Sequence, residues 1–236
     1  MTHRVLNVGG GHKSIPLPSH YAGWEHLLLD IDPKSEADVI CDARQMDVLM
    51  QAGRYDAIFC SHNLEHFHRH DIPKVLAGMR HVLREDGFAE IRVPDILALI
   101  QRLAARGEDL DSVMYVSPAG PIKALDMLYG LGSYIEASGT DFMCHKTGFI
   151  LRTLGNTLAA NGFPHVFLSQ SGPAMELRAY AFKNKPSEDH MRFLKLSYAG
   201  SGGPVDNAGS GLLTAQPEAA PAGHPGVLAK RFLETV

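Results

Sequence analysis

Up to Pro94 the chain alternates short apolar runs with abrupt glycine, aspartate or proline stops, and few architectures satisfy that rhythm. Arg4–Val8 runs into Gly9-Gly10-Gly11, residues 26–29 stop at Asp30, residues 37–41 at Asp42, and residues 88–93 at Pro94. A fourth run, Tyr55–Ser61, precedes His62. Apolar runs of this length with turn residues at their ends read as strands covered on both faces. Between the last two, Ile72, Val75, Leu76, Met79 and Leu83 recur at helical spacing, and Asp86-Gly87 supplies the turn that follows. Strand, crossover and strand in succession predict an α/β fold with a doubly wound, mostly parallel sheet.

A helix is expected over 95–105. The pattern then loosens across 107–144, where Pro118, Pro121, Gly130 and Gly132 break it, and this stretch reads as an inserted cap. Residues 147–160 predict a further helix stopped by Gly162. Two strands over 165–169 and 174–183 would then form an antiparallel hairpin at the sheet edge, bringing the strand count to seven. Beyond Lys183 the composition changes: seventeen of the thirty residues in 197–226 are Gly, Ala or Pro, too little apolar surface to offset ordering entropy. The expected organisation is a domain over 1–183 and a flexible Gly/Ala/Pro-rich tail over 184–236.

No run approaches the roughly 18 apolar residues of a membrane span, and the N-terminus carries no long apolar segment. The chain is therefore expected in the cytoplasm. Cys41, Cys60 and Cys144 are few and widely separated, which argues against a disulfide framework or a metal knuckle. A net charge of -4 disfavours a general nucleic-acid binder. The conspicuous feature of composition is thirteen histidines, four of them between positions 62 and 70.

A glycine turn at the C-terminal end of the first strand brings bare backbone to the edge where ligands of doubly wound sheets bind. Asp30 at the end of the second strand can accept both hydroxyls of a ribose. Asp42, at the end of the third, can accept from an adenine amino group. Three strand ends thus describe one nucleoside. With those residues in place, the chain resembles the class I S-adenosylmethionine-dependent methyltransferases. LNVGGGH stands at the family's glycine-rich motif, DID at its acidic loop, CDAR at its adenine loop, YDAIFCSHNLEHF at the fourth strand, and LREDGFAEIRVPD at the fifth.

The resemblance implies S-adenosylmethionine as cofactor, S-adenosylhomocysteine as product, and a small-molecule or saccharide-type methyl acceptor. Asn7, Gly9, Gly10 and Gly11 would form the methionine end of the cofactor site, Asp30 and Ile31 the ribose end, and Asp42 and Ala43 the adenine end. Ser61 would join them beside the reacting methyl. His62 and His145, the latter in DFMCHKTGF, are the candidate proton acceptors, since a histidine near its ordinary pKa suits a general base. No residue is expected to hold a metal.

Two departures stand out: Asn7 occupies a position where an acid is common, and Lys13 stands where a further glycine is usual. Only fourteen residues, Gly11 to Trp24, lie between the glycine turn and the second strand, with Pro16 and Pro18 among them, so the first crossover helix is expected to be absent or reduced to a turn. Three other readings remain. A methyltransferase-like protein can bind without turnover. A dinucleotide oxidoreductase would need glycine at position 14, where Ser14 stands. His62-Asn63-Leu64-Glu65-His66 also spells H-x-x-E-H, a zinc-hydrolase pattern that requires both histidines on one helical face.

Overall fold

The computed structural model describes residues 2–117, 120–172 and 174–198, with the backbone of 212–214. Five parallel strands come first: β1 (Arg4–Val8), β2 (Glu25–Asp30), β3 (Val39–Ile40), β4 (Tyr55–Ser61) and β5 (Leu83–Pro94). A hairpin of β6 (Val113–Ser117) and β7 (Gly120–Lys123) stands apart from them. β8 (His165–Ser171) and β9 (Glu176–Phe182) return antiparallel, and β9 lies between β8 and β5. The expected seven strands thus form one sheet, ordered β8-β9-β5-β4-β1-β2-β3, and the backbone of β10 (Leu212–Thr214) adds a parallel strand beside β8.

Helices α1 (Met46–Leu49), α2 (Ile72–Val82) and α6 (Leu151–Ala160) frame the sheet. α3 (Ile96–Arg106), α4 (Ala124–Tyr129) and α5 (Gly132–Ser138) lie between β5 and α6 in the chain. Local chemistry sets the boundaries. Asp95 caps α3 by accepting from the amides of Leu97 and Ala98, and Gly107 ends it in the left-handed region at φ 62°. β3 is two residues long instead of the expected five, because Asp38 turns its carboxylate to the Leu28 amide at 2.7 Å and to Lys13 at 2.6 Å. α6 starts at Leu151, four residues later than expected, since Phe149 is held extended in a bridge to Asp95.

Strand alternation divides the core between two faces. Leu6, Val8, Ile58, Cys60 and Ile91 pack beneath Val75, Leu76 and Met79 of α2 and Leu154 and Leu158 of α6. Val5, Ala57, Phe59, Phe88, Phe167, Tyr180 and Phe182 point the other way. The first crossover is the expected turn, one 3-10 segment over Ser19–Tyr21, so a helix's worth of cover is missing from that second face. Leu17, Tyr21 and Trp24 supply part of it, and the segment after β9 supplies the rest.

That segment corrects the domain edge expected at residue 183. α7 (Glu188–Phe193) carries Phe193 onto Trp24, ring centroids 5.7 Å apart and stacked, and buries Leu194 and Leu196 in the same cluster. Residues 184–198 belong to the domain because an aromatic face without a crossover helix needs their apolar surface. Residues 199–211 and 215–236, expected as a flexible tail, lie outside the described residues.

Candidate active site

Strand order reverses between β1 and β4, the point at which doubly wound sheets bind ligands beyond the strand ends. A cavity of about 400 Å³ opens there. Its floor includes Gly9, Gly11, Asp30, Ile31, Asp42 and Ala43, and its roof comes from Leu131, Tyr134, Phe142, Met143 and Lys146. Seven of the residues expected from sequence therefore meet on one wall, once His62 is counted. Asn7, Gly10, Ser61 and His145 do not line it.

The glycine turn is shaped by contact as well as by backbone. Gly9 and Gly11 adopt φ 69° and 70°, and the Gly9 amide donates to Leu29 O at 2.8 Å. A Cβ on Gly9 would overlap the side chain of Asn63, and one on Gly10 the side chain of Asn7. Asn7 is thus a buried prop beneath the turn, 2% exposed, and its Oδ1 has no hydrogen-bond partner.

Asp30 accepts from the Asp32 amide at 2.9 Å through Oδ1, and burial pushes its carboxyl above the ordinary range. Asp42 caps the next turn by accepting from the Arg44 amide, and the Arg44 guanidinium grips both of its oxygens, at 3.1 Å for Oδ1 and 2.6 Å for Oδ2. Burial alone would raise the Asp42 carboxyl, but these bonds to Arg44 hold it below its usual range. Three Arg44 N–H groups share the two oxygens, which leaves about one of the carboxylate's four lone-pair positions for the cavity.

His62, expected as a base, sits against two carboxylates. The bend after β4 puts it at φ 49°, with its amide donating to Arg92 O at 2.9 Å. Its Nε2 donates to Glu176 at 3.0 Å, and Nδ1 stands 3.4 Å from Glu65. Burial would lower its pKa, yet the Glu176 hydrogen bond and the Glu65 charge override that and push it up to about 10. The ring lies between two carboxylates, which favour its protonated form.

His145 is withdrawn behind the wall. Its Nδ1–H donates to Met127 O at 3.0 Å, and its Nε2 faces Glu65 at 4.0 Å. Burial is the main cause of its lowered pKa. The strand of chain that carries it is docked firmly: the amides of Lys146 and Thr147 both donate to Glu65 O, at 2.8 and 3.1 Å. Sequence reasoning missed Arg44, Asn63, His66 and Glu176. Arg44 and His66 stood inside motifs already quoted, whereas Glu176 lies 114 residues from His62 and leaves no local signal.

The family model described as "Methyltransferase domain" matches residues 2–163. Among solved structures the chain is similar to the citrinin polyketide synthase CMeT domain, with a TM-score of 0.51, 13% identity and 78% of this chain covered. It spans 47% of that structure, about half its length. It is also similar to the PH0226 protein from Pyrococcus horikoshii OT3, with a TM-score of 0.50, 14% identity, and coverage of 78% of this chain and 83% of that one. A SAM dependent methyltransferase from Archaeoglobus fulgidus follows with a TM-score of 0.48, 16% identity, and coverage of 76% and 86%. No curated protein matches. With the matched residues carrying both the sheet and the cavity, the chain belongs to the methyltransferase domain family and has the Rossmann-like fold of S-adenosylmethionine-dependent methyltransferases.

Proposed function

We propose that the cavity binds S-adenosylmethionine and that the protein transfers its methyl group to a small-molecule or saccharide-type acceptor beneath the 107–144 cap. The observation that carries this is one cavity joining Gly9, Gly11, Asp30 and Asp42 under a roof of cap residues. The donor set fits the cofactor. Asp30 offers carboxylate lone pairs to a ribose diol, with Ile31 beside it. Asp42 and the wall at Ala43 suit an adenine amino group and ring, and the positive-φ glycines leave backbone bare for the amino-acid end. Ser61, Asn7 and Gly10 act one step back, by shaping the turns that bear these groups.

When bound, the cofactor supplies a methyl already activated by its sulfonium. The protein's task is then alignment and exclusion of water. Asp141 and Lys146, paired at 3.1 Å, hold the roof strap in place. His62 serves as a fixed positive charge on the wall rather than as a base. Against a dinucleotide oxidoreductase, only the Ser19–Tyr21 turn follows the glycines, so no helix N-terminus faces the cavity there to hold a pyrophosphate. Against a helix-borne H-x-x-E-H hydrolase, Leu64–His66 is a single 3-10 turn and the His62 ring is turned to Glu176.

Among the described residues no helix is long and apolar enough to cross a membrane. The three cysteines are unpaired, which supports a reducing, cytoplasmic location. The test is twofold. S-adenosylhomocysteine should raise the melting temperature of the full chain, as a ligand specific to the native state must. Labelled methyl from S-adenosylmethionine should then appear on a hydroxyl-, amine- or sugar-bearing acceptor. A shift without any transfer would favour a binding protein without turnover; no shift would remove the cofactor reading.

A further inference from the structure

Glu65 is fully buried, its side chain 1% exposed, and neither carboxylate oxygen has a hydrogen-bond partner. A buried carboxylate without hydrogen bonds depends on the polar groups packed around it. The groups around it are imidazoles. His62 Nδ1 lies at 3.4 Å and His145 Nε2 at 4.0 Å, and the His66 ring stands 5.0 Å from that of His145. A Glu65 oxygen and one nitrogen each from His66 and His145 lie within 4.8 Å of one another.

Two details orient those nitrogens. His145 donates its Nδ1–H to Met127 O, which leaves the Nε2 lone pair directed at Glu65, the way a backbone carbonyl typically fixes a metal-ligating imidazole. His66 has a carbonyl oxygen at each nitrogen, Cys144 O at 3.1 Å and His62 O at 3.0 Å. Carbonyls only accept, so a neutral ring satisfies one of them and turns a lone pair on the other. Ligating an ion through either nitrogen requires the His66 ring to turn off the carbonyl that faces it, since a metal–nitrogen bond of about 2.0–2.1 Å points into the same space. His62 is already committed to Glu176 and stands outside the trio.

We infer that Glu65, His66 and His145 form a binding site for a divalent first-row transition ion of the zinc or manganese kind, beside the cofactor cavity. Two imidazoles and a carboxylate suit such ions, and three protein ligands leave a coordination position open. His66 lines the cavity, so the open position is on its side. Resting on the methyl-transfer reading above, the site narrows the acceptor to an oxygen-bearing compound, whose hydroxyl a nearby cation makes more acidic. The ligands differ from those the H-x-x-E-H pattern suggests, because His145 replaces His62.

The experiment uses the full chain stripped with a chelator and then dialysed against zinc or manganese alone, with bound metal measured by elemental mass spectrometry. We expect one equivalent to be retained by the unmodified protein, and affinity to fall at least about tenfold in Glu65→Gln, His145→Ala and the milder His145→Gln. His68 and His70, stacked 5.4 Å apart, are the adventitious competitor. Metal that survives in His145→Ala but is lost in the His68→Ala/His70→Ala double variant overturns the inference, as does an unmodified protein that retains none. The S-adenosylhomocysteine thermal shift separates the two readings. A shift with no retained metal sinks the metal site alone, whereas metal retained at these ligands without a shift sinks the cofactor reading and leaves the site standing.

Discussion

Asp30 stands at the end of β2 and lines the cavity, with Oδ1 accepting from the Asp32 amide and its pKa raised by burial. Replacing it with alanine removes hydrogen bonds to a charged group, worth about 1.5–3 kcal/mol each. Asp30→Ala should therefore lose most of the S-adenosylhomocysteine thermal shift while its unliganded melting temperature stays near that of the parent; an undiminished shift would misplace the ribose. Gly9→Ala meets two penalties together, a φ of 69° and the Asn63 side chain. It should lower stability by about 1–3 kcal/mol in urea unfolding and weaken the shift as well. Both positions were legible in the sequence because a strand stop and a glycine turn are local features. The charge state of His62 was not, since it depends on Glu176 and on a carboxylate whose burial no local pattern reports.

α7 and the residues after it test how elements share the work of covering the sheet. If 184–198 were flexible, substitutions there would change stability by no more than about 0.5 kcal/mol. Instead Leu194 and Leu196 are buried against Trp24, Phe88 and Phe167. Leu194→Ala and Leu196→Ala should each cost about 2 kcal/mol or more, read as a lower urea midpoint with an unchanged slope. Values near zero would return the domain edge to 183. Strands and long helices were readable at this scale, because α2 repeats apolar residues at helical spacing and β1 is an apolar run ended by glycines. The helix α7 escaped notice because its six residues, Glu188–Phe193, are mostly polar and bury their apolar surface only through what the short first crossover leaves uncovered.

Across the molecule, one buried ion cluster ties that short crossover to the sheet. Glu90 on β5 is fully buried, with His20 Nε2 at 2.9 Å, Arg92 Nη2 at 2.6 Å and Arg178 Nε at 3.8 Å. Burial favours the protonated acid, but the His20 hydrogen bond and the Arg92 charge overcome it and bring the pKa to about 2, from an ordinary 4.5. The folded state therefore binds this proton more weakly than the unfolded chain does. Its stabilisation, on the order of 3 kcal/mol, is complete above pH 4.5 and lost as the pH falls toward 2. Urea midpoints should drop across that window, and Glu90→Gln should be less stable at neutral pH and flatter below it; an identical acid profile in the variant would exclude Glu90 as the source. The sequence by itself determined the strand succession, the reduced first crossover and the residues at the cavity floor, because each is written in contacts within a few residues. Only the tertiary structure decided what covers the aromatic face, which histidine lies between two carboxylates, and that His145 joins Glu65 and His66. Those contacts join segments 78 to 169 residues apart, and their partners are set by which parts of the chain the sheet brings side by side.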